Sequence, residues 1–523
     1  MLPLRVVFLW HYHQPDYRWE GQALLPWVRL RAVKDYALLF RLFGELRHLR
    51  SVLNVVPSLL VQLTEYATAG LTDLAEQISE HALSAPGEAE RQYWSMLEPP
   101  RPLRERFPVM AHLWERFCSG PVDASTWRDV LLWTQLVWAF PHRKRFSLLG
   151  QWFHREGGFH SEELKLLLQL HRLLLREALQ ALSKVVHRDG IELSCSPWYH
   201  PVLPLVCDTG SAAESDPGLA LPEPAFRYPH DAWLQCVRAR QYCAELLGVI
   251  PEGMWAPEGA VSAEALSQMA AAGVRWTATD EAQLFRSMPS APELQKYLPH
   301  RFFTPNGEIV LFFRDRQLSD ALGFQYGGWE PERAVQDFCQ RLLAIRQELI
   351  RHYGESILRH AAVLIALDGE NCWDSYSDNG VGFLRSLDEY LQTEERLVTT
   401  TCREVIAGAV GTLPGLSVLR PGSWVGGALR TWIGTAAHNA AWEELSRVRQ
   451  QLERLRSLLP PMRWREALEH LLAAEGSDWF WWWSPEHGTP AAPVFERLFQ
   501  LHLQRSRELM EGREGVLYLP RTP

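Results

Sequence analysis

Three carboxylates, Asp368, Glu370 and Asp374, follow an apolar run at 363–367, and a fourth, Glu258, follows another at 253–255. A solvated turn accounts for any one of them, because acidic residues commonly punctuate strand ends. Glu258 alone reads equally well as a helix N-terminal residue interacting with the dipole. Met254 and Trp255 precede it closely. A carboxylate against an indole loses solvent, which raises its pKa unless hydrogen bonds hold it ionised. Two carboxyl groups converging on one cleft are what glycoside hydrolysis needs. Separations of about 5–5.5 Å give retention through a covalent intermediate, and larger ones give inversion. Glu258 and Asp368 are the candidate pair.

In "HYHQP", His11 and His13 are two apart and point to the same side of an extended strand. With His200 and Asp368 at other strand ends they offer a zinc or transition-metal donor set. A metal-dependent deacetylase or hydrolase is therefore the competing reading. No H-E-x-x-H pair or Cys/His cluster accompanies these residues, and imidazoles that hydrogen-bond sugar hydroxyls explain the pattern without an ion. Neither a metal nor a cofactor is expected. Tryptophan is abundant, at 23 of 523 residues. An indole offers a broad apolar face and one donor, which suits sugar rings, although most of these residues belong in the core. "EGSDWFWWWSPEH" (475–487) holds five consecutive aromatics that cannot all be buried on one element. It reads as an aromatic wall, with Asp478 as its polar contact.

The elements that must position these groups alternate. Short apolar runs at 5–10, 51–56, 192–196, 253–255, 274–279, 309–313 and 363–367 read as buried strands. Helical patterns at 232–247, 263–272 and 332–353 lie between them, which predicts a parallel sheet. At most of these strands the residues just past the C-terminal end are His, Asp, Glu or Arg. A closed barrel gathers such ends around one mouth, so a (β/α) barrel is predicted over an open sheet. Residues 57–190 carry only helical patterns and read as an insertion. From about 395 the strands fade into helices such as 441–459, whose Leu445, Val448, Leu452, Leu455 and Leu459 form one stripe.

The bulk properties exclude several classes. Net charge is −9 and no Lys/Arg block stands out, against a nucleic-acid or polybasic membrane contact. Eight scattered cysteines without a C-x-x-C pair predict a reduced, cytoplasmic protein. No run of 18 apolar residues predicts a membrane span. G-x-G-x-x-G, P-loop and G-x-S-x-G motifs are absent, which leaves nucleotide and serine-hydrolase chemistry unsupported.

"HYHQP", "PWYHPVLPL", "GMWAPEGAVS", "LDGENCWDSY" and "GSDWFWWW" occur in the order and approximate spacing of the signature regions of glycoside hydrolase family 57. The chain resembles that family, especially its α-amylase and amylopullulanase branch, over nearly its whole length. The resemblance implies an incomplete TIM-like (β/α)7 barrel over 1–395, including the insertion at about 57–190, with a C-terminal helical domain over 396–523 completing the site. It implies retaining cleavage of α-1,4 bonds in starch, glycogen or maltooligosaccharides, with α-1,6 bonds as a second target. Under it Glu258 matches the nucleophile and Asp368 the general acid/base. His11, His13, His200, Trp255 and Asp315 match substrate-site positions, Asp478 and Trp481 fall in the last region, and Glu370 and Trp373 join the site beside Asp368. "WYHP" carries His200 where the family's glucanotransferases resemble "YEP", which favours the hydrolase side. The rivals are a 4-α-glucanotransferase and a non-catalytic glucan-binding protein.

Overall fold

The computed structural model describes residues 1–409 and 413–513. Seven parallel strands run β1 Leu4–Tyr12, β2 Ser51–Val55, β3 Ile191–Cys195, β4 Gly253–Trp255, β5 Trp276–Asp280, β6 Gly307–Arg314 and β7 Ala362–Asp368. They pair in that order. β7 pairs with β1 from Arg5↔Ala362 to His11↔Asp368 and touches β6 at Leu364↔Arg314, which closes the barrel. Each apolar run predicted as a strand overlaps one of these seven, within two residues at its ends.

Strand alternation explains where the polar groups go. Val7 and Leu9, Val52, Val310 and Phe312, and Leu364 and Ala366 fill the barrel interior. Side chains two residues apart share a face, so His11, Asn54, Arg314 and Asp368 follow as the next inward layer. The barrel is thus an apolar plug capped by a polar floor at its C-terminal end.

Its opposite end is closed by a feature the sequence pattern hid. Strand Leu397–Thr400 pairs in parallel with the first half of β1, and helix Cys402–Ala407 inserts Cys402 and Val405 into the interior cluster. Its sequence, Leu-Val-Thr-Thr, holds only two adjacent apolar residues, so no apolar run marks it. A second short strand, His300–Thr304, is antiparallel to β6 and was likewise not predicted.

Gly253 shows how tightly the interior is filled. A Cβ there would lie 1.8 Å from the Trp276 indole, which crosses over it and donates from Nε1 to Glu192 Oε1 at 2.8 Å. Gly253→Ala is expected to destabilise the protein by about 1–3 kcal/mol or more through overpacking. An unchanged thermal midpoint would contradict this placement of the indole.

Between β2 and β3 the described chain is helical, with Ser161–Val185 the longest helix, as predicted. The C-terminal part is built from helices Ala436–Arg454, Pro461–Ala474, Ser477–Trp483 and Ala492–Met510. No helix among the described residues is long and apolar enough to cross a membrane.

Candidate active site

A cavity of about 500 Å³ opens at the C-terminal ends of the strands. Three parts of the chain wall it. The barrel contributes His11, His13, His200, Glu258, Asp368 and Glu370. The helical insertion adds Glu98, Pro100 and Trp138, and the C-terminal part adds Trp424, Asp478, Trp481 and Trp482. Trp138 pairs with Trp27 at 6.0 Å between ring centroids, with the Arg31 guanidinium over its face at 5.3 Å. Two aromatic flanks from different parts of the chain therefore border a floor of carboxyl groups and imidazoles.

Glu258 sits in a turn, Pro257–Gly259, with φ of 57°. His200, across the cavity floor, has φ of 56°. Left-handed backbone at a non-glycine residue costs about 1–3 kcal/mol and persists only where its surroundings enforce it. The C-terminal part does so: Trp424 N donates to Glu258 O and Ser477 N donates to His200 O, both at 3.0 Å. The same two residues hold the carboxyl group. Trp424 Nε1 donates to Oε2 at 3.1 Å and Ser477 Oγ donates to Oε1 at 3.2 Å. Burial first, then the charges of Asp478 and Asp368, push the Glu258 carboxyl up to about 8, with both hydrogen bonds opposing.

The three clustered carboxylates separate into different tasks. Asp368 faces the cavity at the end of β7 and accepts one hydrogen bond, from Asn371 Nδ2 at 3.2 Å. Burial raises its pKa, opposed by that bond and by His13, Arg314 and Arg31. Glu370 also lines the cavity, accepting from Gln14 Nε2 and Tyr36 OH at 3.1 Å on Oε1, while Oε2 is buried without a partner. Burial pushes it up to about 8. Asp374 is structural. Arg31 grips both of its oxygens at 2.8 and 3.0 Å, and Lys34 Nζ adds a third bond at 2.7 Å. Against burial, these cations hold its carboxyl well below the usual range.

The imidazoles form a stack. His13 lies over His200 with centroids 3.9 Å apart, and His11 lies 4.9 Å from His200. His11 Nδ1 donates to Asn54 Oδ1 at 2.6 Å, whose Nδ2 donates to Ser194 Oγ at 2.9 Å. Burial, then His13, pushes His11 down to about 3, and burial holds His200 well below the ordinary histidine value. His13 Nε2 donates to both Asp478 oxygens at 3.0 Å. His13, His200 and Asp478 are grouped closely enough to hold an ion, in place of the His11, His13, His200 and Asp368 set weighed from sequence. The donor directions do not suit it. Imidazole lone pairs lie in the ring plane, and stacked rings tilted by only 22° send them side by side rather than to one point.

Three residues predicted to contact substrate lie elsewhere. Trp255 is beneath the floor, buried 5.1 Å from Trp424 and 6.1 Å from His11 between centroids. Trp373 turns back into the core against Trp10 and Tyr376, because Asn371–Trp373 is a tight turn that folds the indole under β1. Asp315 caps helix Arg316–Asp320 through Leu318 N and is tied to Tyr297 OH at 2.8 Å and Lys296 Nζ at 3.2 Å. None of the three lines the cavity. The five-aromatic run divides: Trp479 and Phe480 are core, while Trp481 and Trp482 reach the cavity. Sequence reasoning missed Asn54, Trp424 and Ser477 as site residues. Asn54 carries a readable signal, a polar residue two places after Val52 on an inward face. Ser477 lies in the run "GSDWFWWW" beside Asp478, but only tertiary packing brings it and Trp424 to Glu258.

The profile of glycosyl hydrolase family 57 matches residues 7–414. No curated protein matches the chain. Among solved structures, an α-amylase from Thermotoga maritima is 14% identical with a TM-score of 0.61, covering 98% of this chain and 95% of that one. A family 57 branching enzyme from Pyrococcus horikoshii is 15% identical with a TM-score of 0.61, covering 97% and 93%. A 4-α-glucanotransferase from Thermococcus litoralis is 14% identical with a TM-score of 0.53, covering 97% and 60%. At these identities the structures speak for the shared fold, while the profile spans most of the sequence: the chain belongs to glycosyl hydrolase family 57.

Proposed function

We propose that the protein is a retaining α-glucan hydrolase acting on α-1,4 bonds of starch, glycogen or maltooligosaccharides, with α-1,6 bonds as a further target. The observation that carries this reading is the convergence of Glu258 and Asp368 on one cavity between two aromatic flanks. Family membership and the α-glucan chemistry for which the solved neighbours are named support the substrate class.

In this reading the Glu258 carboxylate attacks the anomeric carbon while the Asp368 carboxyl gives its proton to the departing glycosidic oxygen. The bond to the leaving sugar breaks as the glycosyl ester forms. The Asp368 carboxylate then takes a proton from water, whose oxygen attacks the same carbon and releases Glu258. Hydrogen bonding matches these roles. Glu258 accepts two bonds that favour its ionised form, and Asp368 accepts one.

Glucan transfer uses the same first step and replaces water by a sugar hydroxyl. Half-buried Trp27, which lines the cavity and packs against the buried Trp138, favours this second reading, since its indole offers an acceptor sugar a stacking surface. Incubation with pure maltoheptaose, followed by mass spectrometry over time, separates the two. Hydrolysis gives only shorter chains. Chains longer than the donor would replace the hydrolase reading by the transferase one.

A further inference from the structure

Ser477 occupies an unusual position for a buried serine. Its hydroxyl lies between the two strained residues, 3.0 Å from His200 Nδ1 and 3.2 Å from Glu258 Oε1. His200 and Glu258 are themselves 3.9 Å apart at these atoms, too far to bond directly. The hydroxyl is therefore their link. A serine carries one hydrogen, so it cannot donate to both neighbours at once.

We propose that Ser477 is a positioning residue that couples the ionisation of Glu258 to the tautomer of His200, so that a substrate hydroxyl donating to His200 Nε2 selects the nucleophilic form of Glu258. The inference rests on the reading of Glu258 as nucleophile. With Glu258 ionised, Ser477 donates to Oε1 and accepts from His200 Nδ1–H. Neutral His200 then presents a bare lone pair at Nε2, which is buried and without a partner. With Glu258 protonated, the chain of donors reverses: the carboxyl donates to Ser477, Ser477 donates to His200 Nδ1, and the ring hydrogen sits on Nε2. A sugar hydroxyl that donates to Nε2 fits only the first arrangement. A hydroxyl donating to Nε2 and nucleophile ionisation thus favour each other, whereas a hydroxyl accepting from Nε2–H favours the protonated carboxyl.

The groups facing this relay set its operating range. Asp478 on helix Ser477–Trp483 and Asp368 at the end of β7 oppose ionisation of Glu258. Burial first, then His13 just after β1 and His11 within it, keep His200 neutral. Glu370 stands beside Asp368, and Arg314 of β6 lies under Trp424 at 5.8 Å. Ser477 Oγ and Trp424 Nε1 are the hydrogen bonds that favour the ionised carboxyl.

Removing the hydroxyl raises the pKa of Glu258, so the acid limb of kcat/KM moves to higher pH. Ser477→Ala is expected to lower kcat by about 10- to 100-fold at pH 6, the scale for a bond to a charged group, with partial recovery at pH 9. KM should change little by comparison. Ser477→Thr, which keeps the hydroxyl, should restore the wild-type limb. A uniform loss at every pH would mean a packing role only and would overturn the relay.

A measurement on the unaltered protein stands beside the variants. ¹⁵N-detected NMR of the histidines should show His200 passing from Nε2–H to Nδ1–H as Glu258 loses its proton. A His200 tautomer that stays fixed through that titration would overturn the coupling. Trapping with a 5-fluoroglucosyl fluoride separates this from the nucleophile assignment. A label on Glu258 together with an unmoved acid limb in Ser477→Ala overturns the relay alone, and a label elsewhere overturns the assignment beneath it.

Discussion

Glu258→Gln is expected to lose about 10⁴-fold or more in kcat, the scale seen when an enzyme's nucleophile is removed, while the protein becomes more stable. The two effects have one cause. The site holds a carboxyl group whose folded pKa, about 8, stands above the ordinary value of 4.5. A group raised in this way contributes stability that is fully present below the unfolded pKa and is lost as pH rises through the folded one. Wild-type protein therefore carries a cost that grows from about pH 4.5 to pH 8 and then levels off, on the order of a few kcal/mol at its plateau. Glutamine is nearly isosteric and cannot ionise. Its amide oxygen accepts from Trp424 Nε1 and its NH2 donates to Ser477 Oγ. The thermal midpoint of the variant should match wild type near pH 4.5 and exceed it increasingly toward pH 8. Retained turnover would remove Glu258 from the mechanism, and a midpoint below wild type at pH 8 would contradict the burial of its charge. Inactive and more stable is the expected pair of results.

Asp368→Asn gives the second largest effect, and its signature is dependence on the leaving group. Protonation of a glycosidic oxygen by a positioned acid is worth about 10²- to 10⁴-fold. A maltooligosaccharide leaving group needs that proton, so kcat on maltoheptaose should fall by this amount. Fluoride departs with little help, so the first step on α-glucosyl fluoride should survive. The second step still lacks its base, and the glycosyl enzyme should accumulate. A burst of fluoride followed by slow turnover is the expected time course. Azide, which needs no base, should restore turnover and yield the α-glycosyl azide, because it attacks the same face as water. The same addition to Glu258→Ala should yield the β-azide, since there it takes the place of the missing nucleophile. Equal losses on both substrates would deny Asp368 the acid role.

The barrel was legible because its strands are short apolar runs ended by proline, glycine or charge, and because inward alternation carries through to the mouth. Val7, Leu9 and His11 form one such register, and Leu364, Ala366 and Asp368 another. Strands Leu397–Thr400 and His300–Thr304 were not legible, since Leu-Val-Thr-Thr and His-Arg-Phe-Phe-Thr each hold only two adjacent apolar residues and leave no apolar run. Glu258 and Asp368 stood out by type and place in the chain. Trp424 and Ser477 did not, because they reach Glu258 from 166 and 219 residues away; Ser477 lies in the run "GSDWFWWW", but nothing there points to Glu258. Trp255, Trp373 and Asp315 share the neighbourhood of the site in sequence and point away from its cavity in space. A strand end places a backbone at the mouth; the turn that follows decides which side chain enters it.

The role of Glu258 is the central claim, and mass mapping of a trapped intermediate tests it most directly. Wild-type protein is incubated with a 5-fluoro-α-glucosyl fluoride, digested with pepsin and sequenced by fragmentation. The account predicts one covalently glycosylated peptide, with the sugar esterified to Glu258. A label on Asp368 or Glu370, or no adduct together with release of the β-anomer from an α-linked substrate, would contradict it.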